Sequence, residues 1–118
     1  MFRFEKLDVW HKAVAFASTV YSATSHFPRD ERFGLTSQMR RASVSISSNV
    51  AEGSSRSSDA DFARFVEIAY GSLMESVSQS VIANQQAFLP ETPFRELYAN
   101  AEEVGRMLSG LRGRLVSS

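Results

Sequence analysis

The stretch LTSQMRRASVSISSNVAEGSSRS, residues 35–57, decides the fold. Leu35, Met39, Ala42, Ile46, Asn49 and Gly53 recur at steps of three and four, the spacing of one helix face. Ala42, Val44 and Ile46, with serines between them, also alternate with period two, as a strand does. Half of residues 43–58 are serine, a residue of middling helix propensity. A lone strand cannot satisfy its own backbone, and no second alternating segment stands elsewhere in the chain to pair with it. The stretch is therefore expected to be a helix, and the fold all-α.

The flanking sequence extends that reading. Pro28, and Pro90 with Pro93, mark two connections, because proline disfavours helix in itself and in the residue before it. A first helix is expected from Asp8 to Ser25, with Leu7, Trp10, Val14, Ala17, Tyr21 and Thr24 as its inward stripe. Gly34 closes the short segment that follows, which favours an antiparallel neighbour. A third helix should open at Ser58, where SDAD begins like a capping box, and run to Ala87, a length of about 45 Å. It shows a bulky stripe of Phe62, Val66, Tyr70, Leu73, Val77 and Val81. Beside that runs a stripe of small residues, Ala69, Ser72, Ser76, Ser80, Ala83 and Ala87. The last helix is expected from Thr92 or Pro93 to Val116, with Thr92 as cap and Phe94, Leu97, Ala101, Val104, Leu108, Leu111 and Leu115 facing inward. Four helices joined by short links make a single-domain antiparallel up-and-down four-helix bundle.

Composition narrows the function classes. The 118 residues are 43% hydrophobic and 22% charged, ordinary for a globular domain. With no cysteine there is no disulfide, thiolate metal site or thiol nucleophile. His11 and His26 stand alone at metal-ligand spacing, since a bundle di-metal centre wants paired Glu-x-x-His motifs. No phosphate-binding glycine loop or nucleophile elbow occurs, so no cofactor, metal or enzymatic activity is expected. The opening MFRFEKLDVWHK holds no uninterrupted apolar run, so neither a signal peptide nor a membrane span is expected, and the cytoplasm is the default location.

Thirteen basic and thirteen acidic residues cancel. Residues 1–34 sum to +1, 35–57 to +2, 58–92 to −4 and 93–118 to +1, so any basic patch is local. Arg40, Arg41, Arg56, Arg112 and Arg114 are the candidates for nucleic-acid contact, although Arg56 is also placed to pair with Glu52 at i, i+4.

Two features remain. Asn49, Glu52 and Gly53 share a helix face, and Gly71, Ser72 and Glu75 repeat the pattern on the third helix. A glycine on each helix suggests that the backbones approach closely there. The six are expected to form a structural polar layer that fixes helix register. The small-residue stripe beside the bulky one makes the third helix more apolar around its girth than a monomer requires. Ala69, Ser76, Ser80 and Ala83 are thus candidates for a subunit interface.

The motifs FEKLDVWHKA, FPRDERFGLTSQMRRASVSISSNVAEGSSR and FVEIAYGSLMES resemble the ribosomal-RNA intervening-sequence family of small bacterial proteins, over nearly the whole chain and in order. The matching signature positions are Gln38, Arg41, Asn49, Glu52, Gly53, Gly71, Ser72 and Glu75. The resemblance implies a four-helix bundle that assembles with itself into ring-shaped pentamers, with no enzymatic activity. It leaves RNA or another protein as the further partner. A related branch, the accessory proteins of diversity-generating retroelements, binds nucleic acid and a reverse transcriptase through a strongly basic surface. The present chain, at formal charge zero, departs from that branch.

Overall fold

The computed structural model describes residues 1–117 and contains four helices: α1 (Asp8–Thr24), α2 (Leu35–Ser54), α3 (Asp59–Gln85) and α4 (Glu91–Val116). Single 3₁₀ turns at Arg3–Lys6 and Arg29–Glu31 precede α1 and α2. The serine-rich stretch is helical as far as Ser54, and residues 55–58 form the turn before α3. Its hydroxyls bond back into their own helix: Ser43 Oγ to the Arg40 carbonyl at 2.9 Å, Ser47 Oγ to Val44 at 3.1 Å and Ser54 Oγ to Ala51 at 2.7 Å. Buried serine hydroxyls are thereby satisfied without a sheet partner. Among the described residues no strand forms.

Helix starts follow local chemistry. Ser58 caps α3 as expected, its Oγ accepting the Asp61 N–H at 3.1 Å. At the start of α2, Glu31 Oε1 accepts the Leu35 N–H at 3.1 Å, across a gap that glycine at position 34 leaves open. The fourth helix begins earlier than its sequence suggests. Pro90, not Thr92, is its cap residue, and its carbonyl accepts the Phe94 N–H at 3.0 Å. The Asn84 side chain binds the Leu89 carbonyl at 3.1 Å and so ties the preceding loop down.

Each helix packs against its two neighbours, α1 on α2, α2 on α3, α3 on α4 and α4 on α1. The diagonal pairs make no close backbone approach. The result is an up-and-down bundle of 47 × 22 × 21 Å. Its core gathers Phe16, Met39, Ile46, Phe62, Leu73, Leu97 and Leu108.

Two packing expectations are corrected. On α1 the inward stripe is Val9, Ala13, Phe16, Val20 and Thr24, rotated by one residue from the expected one. Of the expected stripe only Thr24 is buried; Val14 and Tyr21 are exposed and Trp10 is half-buried. On α3 the small residues Ala69, Ser76, Ser80 and Ala83 are buried inside this same chain. They are therefore not a free surface for a neighbouring subunit, and Ala87 lies beyond the helix altogether.

Candidate functional site

The seam between α2 and α3 holds the sequence's polar cluster, in part. Ser45 and Ser72 share a hydrogen bond of 2.9 Å between their hydroxyls. Asn49, one turn further along α2, donates to the Ser45 carbonyl at 2.8 Å and to the Ser45 hydroxyl at 3.0 Å. Asn49 and Ser72 thus meet through Ser45, a residue the sequence did not single out, although its position four before Asn49 is the available signal. The other four members do not join. Glu52 points to solvent and pairs with Arg56 at 3.1 Å. Glu75 is exposed, and Gly71 has no heavy atom near the place of a side chain. Gly53 is a close approach, but to Phe62 and Phe65 at the start of α3 rather than to Gly71. Just outside the Ser45–Ser72 bond, Gln38, Arg41, Ala42, Ser45, Ser72 and Glu75 line an open groove of about 380 Å³.

The candidate arginines are dispersed and mostly engaged. Arg40 donates to Thr24 Oγ1 at 2.9 Å and lies 4.5 Å over the Tyr21 ring. Arg56, besides its pair with Glu52, covers the Phe65 ring at 4.5 Å. Arg112 pairs with Glu67 at 2.8 Å. Arg41 lies in the α2–α3 groove, whereas Arg114 lies between α4 and the N-terminal end of α1, so the five build no common patch. A basic cluster forms elsewhere: Lys6, Arg106 and Arg114 border an α1–α4 groove of about 490 Å³ floored by Leu7, Val9, Met107 and Leu111, with Asp8 among them. The N-terminus is anchored nearby. Arg3 sits 5.0 Å over the Phe62 ring, and Phe4 packs on Trp10 at 4.9 Å.

Apolar side chains also stand outside the core. Between α3 and α4, Tyr70, Met74, Val77, Tyr98 and Ala101 line an open groove of about 480 Å³ edged by Glu102 and Arg106. A second hollow of about 350 Å³ continues it past Tyr70 and Ser109. Gly105 forms part of the floor, where a side-chain carbon would stand 3.4 Å from Leu73 Cδ2 and 3.7 Å from Tyr70 Cε2. Tyr70, Met74 and Tyr98 each keep at least 39% of their surface exposed. On α1 and α2, the rotated stripe leaves Val14 and Tyr21 outside, beside Val44 one turn beyond Arg40; each is at least 37% exposed. None of these exposed side chains belongs to the small-residue stripe of α3 that the sequence pattern offers as an interface. Among the described residues no cluster of three His, Asp or Glu side chains is arranged to hold a metal ion, and no helix is long and apolar enough to cross a membrane.

Comparison with known proteins bears on this architecture. Among solved structures, the chain is similar to a protein of unknown function from the S23 ribosomal protein family of Bacteroides thetaiotaomicron VPI-5482. The TM-score is 0.77 at 20% identity, over 86% of this chain and 95% of that one. At that identity the likeness speaks to the fold. Among curated proteins no relative matches. The description of the 23S rRNA-intervening sequence protein family matches residues 5–110, nearly the whole bundle. The chain belongs to the 23S rRNA-intervening sequence protein family.

Proposed function

We propose that this protein is a non-enzymatic subunit that assembles with copies of itself into a helical scaffold or adaptor in the cytoplasm. The observation that carries the reading is the α3–α4 groove, where two tyrosines and a methionine stand half-exposed around one apolar hollow. Apolar surface rimmed by polar and charged side chains is where proteins commonly meet partners. Covering each half-exposed Met or Val there contributes on the order of 1 kcal/mol. The family resemblance implies a ring of five. The polar groups of the α2 motif have structural partners, Asn49 on Ser45 and Glu52 on Arg56. Sedimentation velocity of the purified protein is expected to show a species of five chains. A single-chain species at every concentration overturns the reading.

One observation favours a second reading, contact with nucleic acid: the cationic border that Lys6, Arg106 and Arg114 give the α1–α4 groove. Phosphate contacts release counterions, so binding to a structured RNA is then expected to weaken steeply between 50 and 200 mM salt, as about three such contacts require. Absence of binding at low salt removes this reading.

A further inference from the structure

We infer that the groove between α2 and α3 binds a free α-amino acid whose side chain ends in a carboxamide, with glutamine as the length that fits. The site stands apart from the apolar α3–α4 groove on which the proposed assembly rests, so the two readings fail separately.

The two walls of this groove differ in chemistry. From α2 come Gln38 and Arg41, and from α3 comes Glu75, with the bonded hydroxyls of Ser45 and Ser72 between them. Arg41 and Glu75 carry opposite charge, yet neither forms an ion pair with the other or with any described residue. Opposite charges elsewhere in the bundle do close on each other, Arg56 on Glu52 and Arg112 on Glu67. Nor does Arg41 lie over a ring, as Arg40 and Arg56 do. A guanidinium on one wall and a carboxylate on the other, too far apart to pair, suit a molecule that carries both charges itself. Its carboxylate meets Arg41, which can bind it bidentately, and its ammonium meets Glu75. A phosphate would be repelled by Glu75 and a polyamine by Arg41, so a zwitterion fits better than either. The volume of about 380 Å³ is that of a small-molecule site.

Gln79 supplies the side-chain preference. It is 8% exposed, and its Oε1 has no hydrogen-bond partner. A buried polar atom in that state is rare and unfavourable. Ser45 meets Ser72 across the seam, and α2 and α3 run antiparallel. Seven residues back along α2 and seven forward along α3 therefore reach one level, that of Gln38 and Gln79. Seven residues are nearly two turns, which keeps Gln79 within about 20° of the side that Ser72 turns to α2. Two amides thus stand at one end of the groove, beyond Arg41 and Glu75. A carboxamide offers an N–H and a carbonyl together, so it pairs with an amide whichever way that amide is turned. Glu75 and Gln79 are separated by about 6 Å along the helix, close to the reach of a glutamine side chain.

Isothermal titration of the purified protein with L-glutamine tests the assignment, and saturable binding of one molecule per chain is expected. L-Alanine keeps the zwitterion without the carboxamide and should bind about tenfold more weakly or worse. L-Glutamine methyl ester lacks the anion and should give no heat of binding. Arg41 and Glu75 are exposed, so Arg41→Gln and Glu75→Gln should keep the wild-type circular dichroism melt while each weakens L-glutamine binding about tenfold or more. Gln79→Leu should abolish the preference for L-glutamine over L-alanine. Absence of L-glutamine binding overturns the assignment, as does binding that survives both Arg41→Gln and Glu75→Gln. Equal binding of L-glutamine and L-alanine by the wild type overturns it too. None of these outcomes depends on the native mass, which judges the assembly by itself.

Discussion

At the scale of single residues, the two glycines of the polar motifs show how far spacing carries an argument. Gly53 and Gly71 occupy similar contexts in the sequence, yet their surroundings differ sharply. A side-chain carbon on Gly53 would stand 2.6 Å from Phe65 Cβ and 2.9 Å from Phe62 Cδ1. Phe65 Cβ is fixed by the α3 backbone, so the helices themselves would have to part. At Gly71 nothing lies within 4 Å. Gly53→Ala is therefore expected to destabilise the fold by about 1–3 kcal/mol. Gly71→Ala, in an exposed helix interior, should stabilise it by about 0.5–1 kcal/mol. Urea unfolding at one fixed protein concentration checks both, and effects of the same sign would contradict the packing described. Asn49 and Glu52 separate for a related reason. Residues three apart on a helix are offset by about 60°, enough to leave Asn49 at the α2–α3 seam and turn Glu52 to solvent. The motif was legible, but which of its members face inward depends on where the neighbouring helix lies.

At the scale of elements, the helices were more legible than their orientations. The α3 start was readable because Ser58 carries its own cap chemistry, and the α2 serines proved compatible with helix because Ser43, Ser47 and Ser54 return their hydroxyls to their own backbone while Ser45 meets Ser72. The rotation of α1 was not readable. Its apolar residues form two stripes about 100° apart, and periodicity alone cannot say which one meets the core. Bundle packing turns Phe16 and Val20 inward and leaves Val14 and Tyr21 outside. The end of α3 holds a further device. Ala87 has φ of 63°, a left-handed conformation usually filled by glycine, while the next two N–H groups return to the Ala83 carbonyl at 2.9 and 3.2 Å. Replacing it by glycine relieves a steric cost of about 1 kcal/mol. Ala87→Gly is expected to raise stability by up to about that amount in the same unfolding assay; a loss of 1 kcal/mol or more would contradict the left-handed turn.

At the scale of the whole molecule, the core and the bundle topology follow from periodicity and short links, whereas the site depends on what the packing leaves uncovered. The small residues of α3 serve the interior, so the exposed apolar side chains are others, Tyr70, Met74 and Tyr98 around the α3–α4 groove among them. Overall neutrality hides an unequal division between the two halves of the bundle, the first basic and the second acidic. A chain without net charge lacks the overall self-repulsion that would keep its copies apart. The native mass of the wild-type protein, measured by light scattering on a sizing column with absorbance at two wavelengths, tests this most directly. A mass of several chains, five by the family resemblance, free of co-purifying nucleic acid, is the predicted result. A single chain of 13.1 kDa across the accessible concentration range would contradict it.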